Sequence, residues 1–340
     1  MFCTGVFEAC KELSIPVYSF FTASAALLTF SLYLPTLDCK ADGEYVDLPE
    51  PVKVPGCNPI QTQDLKYLVP KSMINEYQQW FMHVSRLPMV TGIFVNSWED
   101  LESVSLKAVK HERFFANIPT PRVYPIGPLT KQAEPVLSKY EKETIAWLDK
   151  QPKDSVLFVA LGSGGTLTSE QLTELAWGGT DAGSDVNDPI PYLPDGFVER
   201  TKGVGLVVSG WAPQVGVLSH PSTGAFLSHC GWNSTVESVK YGVPIIAWPL
   251  YAEQGINAAL LSNEVGVAMR MPMVGEGGEM VVVRRKKIES VVKAVMEGEE
   301  GKKLRRRAKE LQASGRETLS RGGSSYETLA RVAESWNIET

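Results

Sequence analysis

The sequence contains few cysteines, and none of them forms a recognisable pair. Five cysteines occur in 340 residues, without a CxxC motif or a regular spacing. This scarcity argues against a disulfide framework and against a zinc site, and it favours reduced thiols in the cytoplasm. Positive charge is also in deficit, with a formal net charge of −6 at pH 7. That balance argues against nucleic acid or an anionic membrane surface as the main partner.

Long hydrophobic runs are scarce too, and only the uncharged stretch 15–37 invites comparison with a membrane span or a signal peptide. The stretch lacks the basic n-region and the small-residue cleavage pattern of a signal peptide, and it contains Pro16 and Pro35. These features favour a buried strand, Val17–Phe21, that leads into a buried helix.

The first half of the chain alternates short apolar runs with helical patterns. Ser97, with Asp100 three residues later, predicts a capped helix that extends to about Val109. A helix is predicted over 71–88, and the Pro- and Gly-rich segment 40–62 indicates a surface loop. The predicted strands are Thr91–Asn96 and Arg122–Ile126.

The second half repeats this alternation. Strand Ser155–Leu161 is followed by a glycine turn at 162–165, and Thr168 then caps a helix that ends near Trp177. A strand, a glycine turn and a helix N-terminus in this order predict a parallel α/β sheet with a ligand at this edge. Further strands are predicted at Gly205–Val208, Ala225–Ser228 and Pro244–Trp248, and helices at 285–297, 300–315 and 324–336.

The basic run at 302–307 lies on one of these helices among Glu299, Glu300 and Glu310. Interleaved charges of opposite sign indicate a solvated helix face, and this interpretation is preferred to a nucleic-acid site.

Residues 225–242 carry the first candidate site. An apolar strand ends at His229, and Gly231 allows a tight turn. Asn233 and Ser234 are predicted at the N-cap of a helix that stops at Gly242. Such a helix N-terminus favours a pyrophosphate, although a capped helix without any ligand explains the same pattern.

Nearby residues complete a possible nucleotide-sugar site. Trp211 is predicted on a loop, where its indole can stack on a base, and Ala212 can contact the base through its backbone. The Glu237 carboxylate suits the paired hydroxyls of a ribose, and Glu253 with Gln254 can bind several sugar hydroxyls. Each of these residues, taken alone, also fits an ordinary core, rim or surface position.

Taken together, residues 211–254, from WAPQ to YAEQ, resemble the signature of plant family 1 UDP-glycosyltransferases, including its HCGWNS core. The similarity extends to LPEPVKVPGC, VNSWEDLE, YPIGPL, WLDKQP and GSGGTL. These segments resemble the subgroup that glucosylates small phenols such as hydroquinone.

The resemblance implies an α/β GT-B fold with two facing Rossmann-like domains, the N-terminal one incomplete. We expect a partial acceptor-binding domain at 1–129, a linker at 130–142 and a UDP-sugar-binding domain at 143–320. The C-terminal helix, 321–340, is expected to pack back on the N-terminal domain.

The resemblance also implies residue roles. Trp211 and Ala212 would contact uracil, and Gln214 and Glu237 would bind ribose. The phosphates would be contacted by Ser163, His229, Asn233 and Ser234, and the sugar by Trp232, Glu253 and Gln254. Weaker candidates for the acceptor wall are Phe20, Phe21, Thr22 and Trp80, for which a core position is at least as good an explanation.

The expected co-substrate is UDP-glucose, with no other cofactor. The sequence contains no Asp-x-Asp, the pair with which metal-dependent glycosyltransferases hold a divalent cation, so no metal is expected. The expected partners are therefore the sugar donor and a small phenolic acceptor, with no nucleic acid and no membrane span.

The sequence departs from the family in two places. The catalytic His and Asp positions of the family are expected upstream of Met1. His83, His111 and His220 show no carboxylate at a telling spacing, and none is assigned as their replacement. After Trp177 the family normally adds a further strand, which is expected to be deleted here, with rearrangement around 178–204.

Three functions remain open at this point. The first is an inverting UDP-glucose-dependent glucosyltransferase that acts on a phenolic hydroxyl. The second is a non-catalytic remnant that at most binds UDP-sugar or a partner protein. The third, a different GT-B enzyme such as an epimerase or a phosphorylase, has no local support in the sequence.

Overall fold

The computed structural model describes residues 4–40, 43–65, 68, 71–110, 118, 120–131, 138–178, 193–208, 211–272 and 281–338. Helices and strands alternate along this part of the chain. In chain order the helices are α1 (Val6–Glu12), α2 (Ala25–Asp38), α3 (Ile74–Ser85), α4 (Ser103–Lys110), α5 (Lys139–Leu148), α6 (Ser169–Gly178), α7 (Phe197–Thr201), α8 (Gln214–Ser219), α9 (Trp232–Tyr241), α10 (Gln254–Leu260), α11 (Arg285–Met296), α12 (Glu299–Leu319) and α13 (Ser324–Ile338). The strands are β1 (Tyr18–Phe21), β2 (Gly92–Val95), β3 (Arg122–Pro125), β4 (Val156–Ala160), β5 (Thr223–Ser228), β6 (Ile245–Ala247) and β7 (Ala268–Arg270).

The chain divides into two compact units. The first consists of Met1–Leu129, Tyr251–Val265 and Ala313–Thr340, and the second of Thr130–Leu250 and Gly266–Gln312. This division differs from the domains expected from the sequence, because 251–265 group with the first unit. The expected linker, 130–142, also overlaps α5, whose first turn is closed by a capping box between Ser138 and Glu141.

The first unit is built on a parallel sheet in the order β1-β2-β3. The predicted strand and buried helix are confirmed as β1 and α2, and nine of the fourteen residues of α2 are buried. The strand itself is less buried than predicted, because only Phe21 of its four residues is buried. The amphipathic helix α3 packs Tyr77, Trp80 and Val84 against the same core. Among the described residues, no helix is long and apolar enough to cross a bilayer.

The predicted surface loop at 40–62 is wrong in part. Tyr45, Val52, Val54 and Ile60 are all buried in the core of the first unit. The Tyr45 hydroxyl donates to Asp38 Oδ1 at 2.9 Å, on α2. The segment is irregular because of its proline and glycine content, but its apolar side chains still fill the core.

The helix predicted to start at Ser97 begins at Ser103 instead, so the predicted capping box is wrong. The intervening turn buries Trp98 and Leu101, and the Trp98 indole donates to Ser314 Oγ at 2.9 Å. Burial of these two side chains outweighs the local capping preference.

Glu102, in the same turn, caps a different helix. Its carboxylate is fully buried and accepts hydrogen bonds from the backbone N–H groups of Ala25 and Ala26, each at 2.9 Å. Ser24 caps the same helix through the N–H of Leu27. The N–H groups of Ala25, Ala26 and Leu27, at the N-terminus of α2, thus bond to side chains of the protein itself.

The second unit contains a parallel sheet in the order β4-β5-β6-β7. Alternate residues of its strands face two layers of helices. Leu157, Val159 and Leu227 pack with α6 and α11, whereas Phe158 and Phe226 lie on the other face with Leu218 of α8. This is the parallel α/β sheet that the strand and helix pattern predicted, and its two helix layers give the Rossmann-like arrangement that the family resemblance implied.

The predicted strand Gly205–Val208 is wrong. Thr201 O accepts from the N–H groups of Val204 and Gly205, so the backbone turns at this point. The only β-pairing of the segment among the described residues is an isolated bridge between Lys202 and Gly205. Much of the region expected to be rearranged, residues 179–192, lies outside the described residues.

The basic run on α12 is solvated, as predicted. Lys302 pairs with Glu299, Lys303 with Glu300 and Arg307 with Glu310, all on the same helix and all largely exposed. Exposed pairs of this kind contribute little stability and leave no strong basic surface.

Burial of Glu102 generates a prediction about pH and stability. Burial raises the pKa of Glu102 to about 7, against the hydrogen bonds from Ala25 and Ala26, and Glu264 adds negative charge. The ordinary pKa of a glutamate, 4.5, applies to Glu102 in the unfolded chain. Between pH 4.5 and pH 7 Glu102 therefore loses its proton in the unfolded chain but keeps it in the folded chain, so the free energy of unfolding falls as pH rises. The expected loss is about 3 kcal/mol.

The variant Glu102→Gln lacks this titration but also loses a good acceptor for one N–H group. We therefore expect the unfolding free energy of wild type, relative to that of E102Q, to be higher at pH 4.5 than at pH 7. Urea unfolding at both pH values measures it. A difference that does not change with pH would contradict the assignment.

Candidate functional site

The candidate site lies where the strands of the second unit end. Strands β4 and β5 are parallel neighbours, so their carboxyl ends open at the same edge of the sheet. The turn after β4 contains Gly162 and Ser163, and the turn after β5 contains His229 and Gly231. In open α/β sheets, ligands bind at this edge.

The turn between β5 and α9 is tight and strained. Cys230 adopts a left-handed backbone conformation with φ of 66°, which is uncommon for a residue other than glycine. Its side chain is buried, and burial raises the pKa of the thiol to about 12, so this cysteine is neutral. The turn therefore reverses the chain within the core and starts α9 directly behind the strand.

The N-cap of α9 is Gly231, and the predicted N-cap positions at Asn233 and Ser234 are wrong. Both residues lie inside the first turn of the helix, which starts at Trp232. Because Gly231 has no side chain, no side-chain cap closes this helix end. An N-terminus in this state presents backbone N–H groups and the positive end of the helix dipole to an anion. The predicted end of the helix at Gly242 is confirmed.

The three predicted site residues in this first turn differ in exposure. Asn233 is exposed, Ser234 is buried, and Trp232 is only 2% exposed. A contact from Trp232 to a ligand would therefore come from its backbone rather than from its indole ring.

His229 lies beside this helix end with its imidazole buried. Burial lowers the pKa of His229, and the nearby Ala160 carbonyl offsets part of the effect. Within the described part of the chain, no hydrogen bond of good geometry reaches its Nδ1 atom. The ring is consequently neutral near pH 7 and retains hydrogen-bonding capacity for a ligand.

Helix α8 brings the side chain of Gln214 to the N-terminal part of α9. The Gln214 amide donates to Ser234 Oγ at 3.0 Å and to Glu237 Oε2 at 2.7 Å. Burial raises the pKa of Glu237, although the hydrogen bond from Gln214 counters it. Gln214 and Glu237, both predicted ribose ligands, therefore already form one polar cluster.

Trp211 and Ala212 precede this helix on a loop, as predicted. The Trp211 side chain is 75% exposed, and Ala212 is half-buried. An indole this open to solvent can stack on a planar ring. Ser163, in the turn after β4, is exposed as well.

Glu253 and Gln254 belong to the first unit. Glu253 is the N-cap residue of α10, and burial raises its pKa. Gln254 is only 3% exposed, and its Oε1 accepts from the N–H of Tyr251 at 3.0 Å. Gln254 is therefore held by its own turn, in which Ala252 adopts a left-handed backbone conformation with a φ of 53°.

The structure separates the four weak acceptor candidates into two pairs. Phe20 and Thr22 are exposed. Phe21 and Trp80 lie in the hydrophobic core, where the Trp80 ring stacks on Phe30 at 6.3 Å. The alternation of side chains along β1 places Phe21 inward, so the core explanation holds for Phe21 and Trp80.

The remaining histidines have structural partners. His83 Nδ1 lies 2.7 Å from Thr4 Oγ1, and burial lowers its pKa. His220 Nε2 lies 3.2 Å from Asp149 Oδ1, a carboxylate partner that sequence spacing did not reveal. His220 precedes β5, at the opposite strand end from His229. His111 lies outside the described residues.

Comparison with known proteins decides the family. The family described as "UDP-glucoronosyl and UDP-glucosyl transferase" matches residues 99–306. Hydroquinone glucosyltransferase from Rauvolfia serpentina is 41% identical over 358 residues, which cover 99% of this chain and 74% of that protein. The chain belongs to this glycosyltransferase family.

The solved structures agree with this assignment and show the GT-B fold for the transferase. UGT2 from Phytolacca americana, complexed with UDP-2fluoro-glucose and pterostilbene, has a TM-score of 0.88 at 43% identity and covers 98% of this chain and 74% of its own. A UDP-glucosyltransferase from Polygonum tinctorium capable of glucosylating indoxyl has a TM-score of 0.88 at 42% identity. The match covers 98% of this chain and 73% of that chain. The resemblance in the sequence is thereby confirmed.

Sequence reasoning missed the role of Gln214 as the link between Ser234 and Glu237, since its partners lie on another helix. It also missed the packing of His229 against Gly162. A glycine directly after a strand was the only signal available, and such a glycine has several common explanations.

The Gln214 cluster generates a prediction for the transferase. Gln214→Ala removes both donated hydrogen bonds and leaves the half-buried Glu237 carboxylate without that donor. We expect a destabilisation of about 1–3 kcal/mol, measured by urea unfolding. Gln78→Ala, at an exposed position of α3, is the matched control and should change stability by less than about 0.5 kcal/mol. Equal effects of the two substitutions would contradict the role of the cluster.

Proposed function

We propose that this transferase uses UDP-glucose as its donor and transfers glucose to a hydroxyl group of a small phenolic acceptor, with inversion at the anomeric carbon. The observation that carries the proposal is the N-terminus of α9, which has no side-chain cap and lies beside the buried imidazole of His229. The proposed acceptors are small phenols such as hydroquinone or a phenylpropanoid.

The proposed roles follow the chemistry of each group. Trp211 stacks on uracil and Ala212 contacts it through backbone, while Gln214 and Glu237 bind the ribose hydroxyls. A diphosphate at the start of α9 receives hydrogen bonds from Ser163, His229, Asn233 and Ser234. We assign Trp232, Glu253 and Gln254 to the sugar.

The reaction under this proposal is a single displacement. The acceptor oxygen forms a bond to the anomeric carbon as the bond to the diphosphate oxygen breaks, and the acceptor proton passes to a base. The leaving UDP gains negative charge, which the α9 dipole and hydrogen-bond donors stabilise. The proposal includes no metal, because these groups supply the stabilisation that a cation gives elsewhere.

The acceptor class is supported by the relatives. One is a hydroquinone glucosyltransferase, another is anthocyanidin 3-O-glucosyltransferase 5 from Manihot esculenta, and the Phytolacca americana structure contains pterostilbene. The aromatic side chain Phe20 and the hydroxyl of Thr22 are exposed in the first unit, and we retain them as acceptor contacts.

A second function, binding of UDP-sugar without transfer, is favoured by the histidines. His83 is paired with Thr4, His220 lies at the opposite strand end, and His229 is buried beside the proposed diphosphate. His220 has a carboxylate partner but the wrong strand end, and His229 lies beside the proposed diphosphate, so neither has the position that a general base for the acceptor requires.

Donor binding is the first prediction. Isothermal titration of the 340-residue chain with UDP and UDP-glucose should show one binding event. Trp211→Ala should weaken it by roughly 5–100-fold, because base stacking contributes about 1–3 kcal/mol. Trp336→Ala, which removes an exposed tryptophan of the first unit, should leave affinity unchanged. If wild type does not bind, the proposed donor site is wrong.

Transfer is the second prediction. Incubation with UDP-glucose and hydroquinone should give the β-glucoside, identified by the coupling constant of its anomeric proton, and EDTA should not reduce the rate. An α-glucoside would refute inversion, and inhibition by EDTA would refute the metal-free proposal. Donor binding without any glucoside would favour the binding-only function.

A further inference from the structure

The imidazole of His229 occupies a slot between two backbone turns. A Cβ atom added to Gly162 would lie 2.5 Å from His229 Nε2, and one added to Gly231 would lie 2.4 Å from the same atom. Non-bonded atoms do not approach this closely, so a side chain at either position would force the ring to move.

The two glycines have different backbone requirements. Gly162 has a φ of 77°, a conformation that favours glycine in any case. Gly231 has a φ of −60° and a ψ of 142°, which every residue adopts readily. The lack of a side chain at Gly231 is therefore explained by the space that the ring needs and not by backbone conformation.

Burial of a polar ring in this slot is less favourable than burial of an apolar side chain of similar size. A buried imidazole whose Nδ1 has no hydrogen-bond partner in the described structure costs free energy that an apolar side chain would not. Buried polar groups are normally hydrogen-bonded, so this atom calls for an explanation, and a role of the ring toward a ligand is one. The slot thus fixes the orientation of a polar ring at the start of α9.

We propose that Gly231 and Gly162 are positioning residues that hold the His229 imidazole at the N-terminus of α9, where it donates a hydrogen bond to the diphosphate of the donor. This inference rests on the proposed function for the ligand. The position of the ring itself is independent of the ligand, and the two are tested separately.

The test is a double-mutant cycle on UDP affinity with Gly231→Ala, His229→Ala and the double variant. Loss of one hydrogen bond to a charged group predicts about 10–100-fold weaker binding for each single variant. The double variant should be no weaker than H229A, because Gly231 acts only through the ring. Fully additive losses would overturn the proposal. Gly5→Ala is the control, since its φ is −61° and nothing lies within 4 Å of the added Cβ.

A second measurement needs no ligand. Long-range ¹H–¹⁵N NMR follows the titration of the four histidines, with His229 assigned from H229A. In G231A the displaced ring gains access to water, so its pKa should rise from its lowered value toward 6.5, while G5A leaves it unchanged. An unchanged His229 titration in G231A would overturn the inference.

These measurements separate the two proposals. If wild type does not bind UDP, the proposed function fails, while the NMR titration still decides the position of the ring. If G231A fails to fold but the double variant folds, relief of the steric clash supports the inference. If both fail to fold, Gly231 serves the backbone and the inference is wrong.

Discussion

The second unit depends on one constraint, which is the reversal of the chain between β5 and α9. A fully buried strand must turn into a helix within a few residues, and the left-handed Cys230 followed by Gly231 accomplishes this. Three consequences follow from the turn. The start of α9 faces the carboxyl edge of the sheet, its first turn has no side-chain cap, and His229 is carried inward beside it. The polar cluster of Gln214, Ser234 and Glu237 then attaches α8 to the same helix.

The two units use similar strand–turn–helix segments differently. After β1, the first N–H groups of α2 donate hydrogen bonds to the hydroxyl of Ser24 and to the carboxyl oxygens of Glu102. After β5, the N-cap residue of α9 is Gly231, which has no side chain that could accept from the first N–H groups of the helix. This difference arises from two residues, because Gly231 stands where α2 has Ser24, and Glu102 comes from a distant turn. The local sequence of α2 alone would not reveal that its end is occupied.

Much of the fold follows from local patterns, since apolar periodicity located β1, β5, α2, α3 and the helices of the C-terminal third. The errors arose where distant contacts outweigh local preference. Ser97 and Asp100 resemble a capping box, but burial of Trp98 and Leu101 delays the helix to Ser103. Gly205–Val208 has the composition of a strand, yet the N–H group of Gly205 closes a turn onto Thr201 O instead. The site residues of the second unit came from the family signature, whereas the bonds among Gln214, Ser234 and Glu237 needed coordinates, because their side chains meet across two helices.

The buried carboxylate of Glu102 has a further consequence. Two Rossmann-like units in one chain would suggest two places for a nucleotide, one at each central helix. The Glu102 carboxyl group occupies the first of these places, and a phosphate there would have to displace a side chain that already accepts from the N–H groups of Ala25 and Ala26. We therefore expect a stoichiometry of one nucleotide per chain, with the first unit left to recognise a molecule that carries no phosphate.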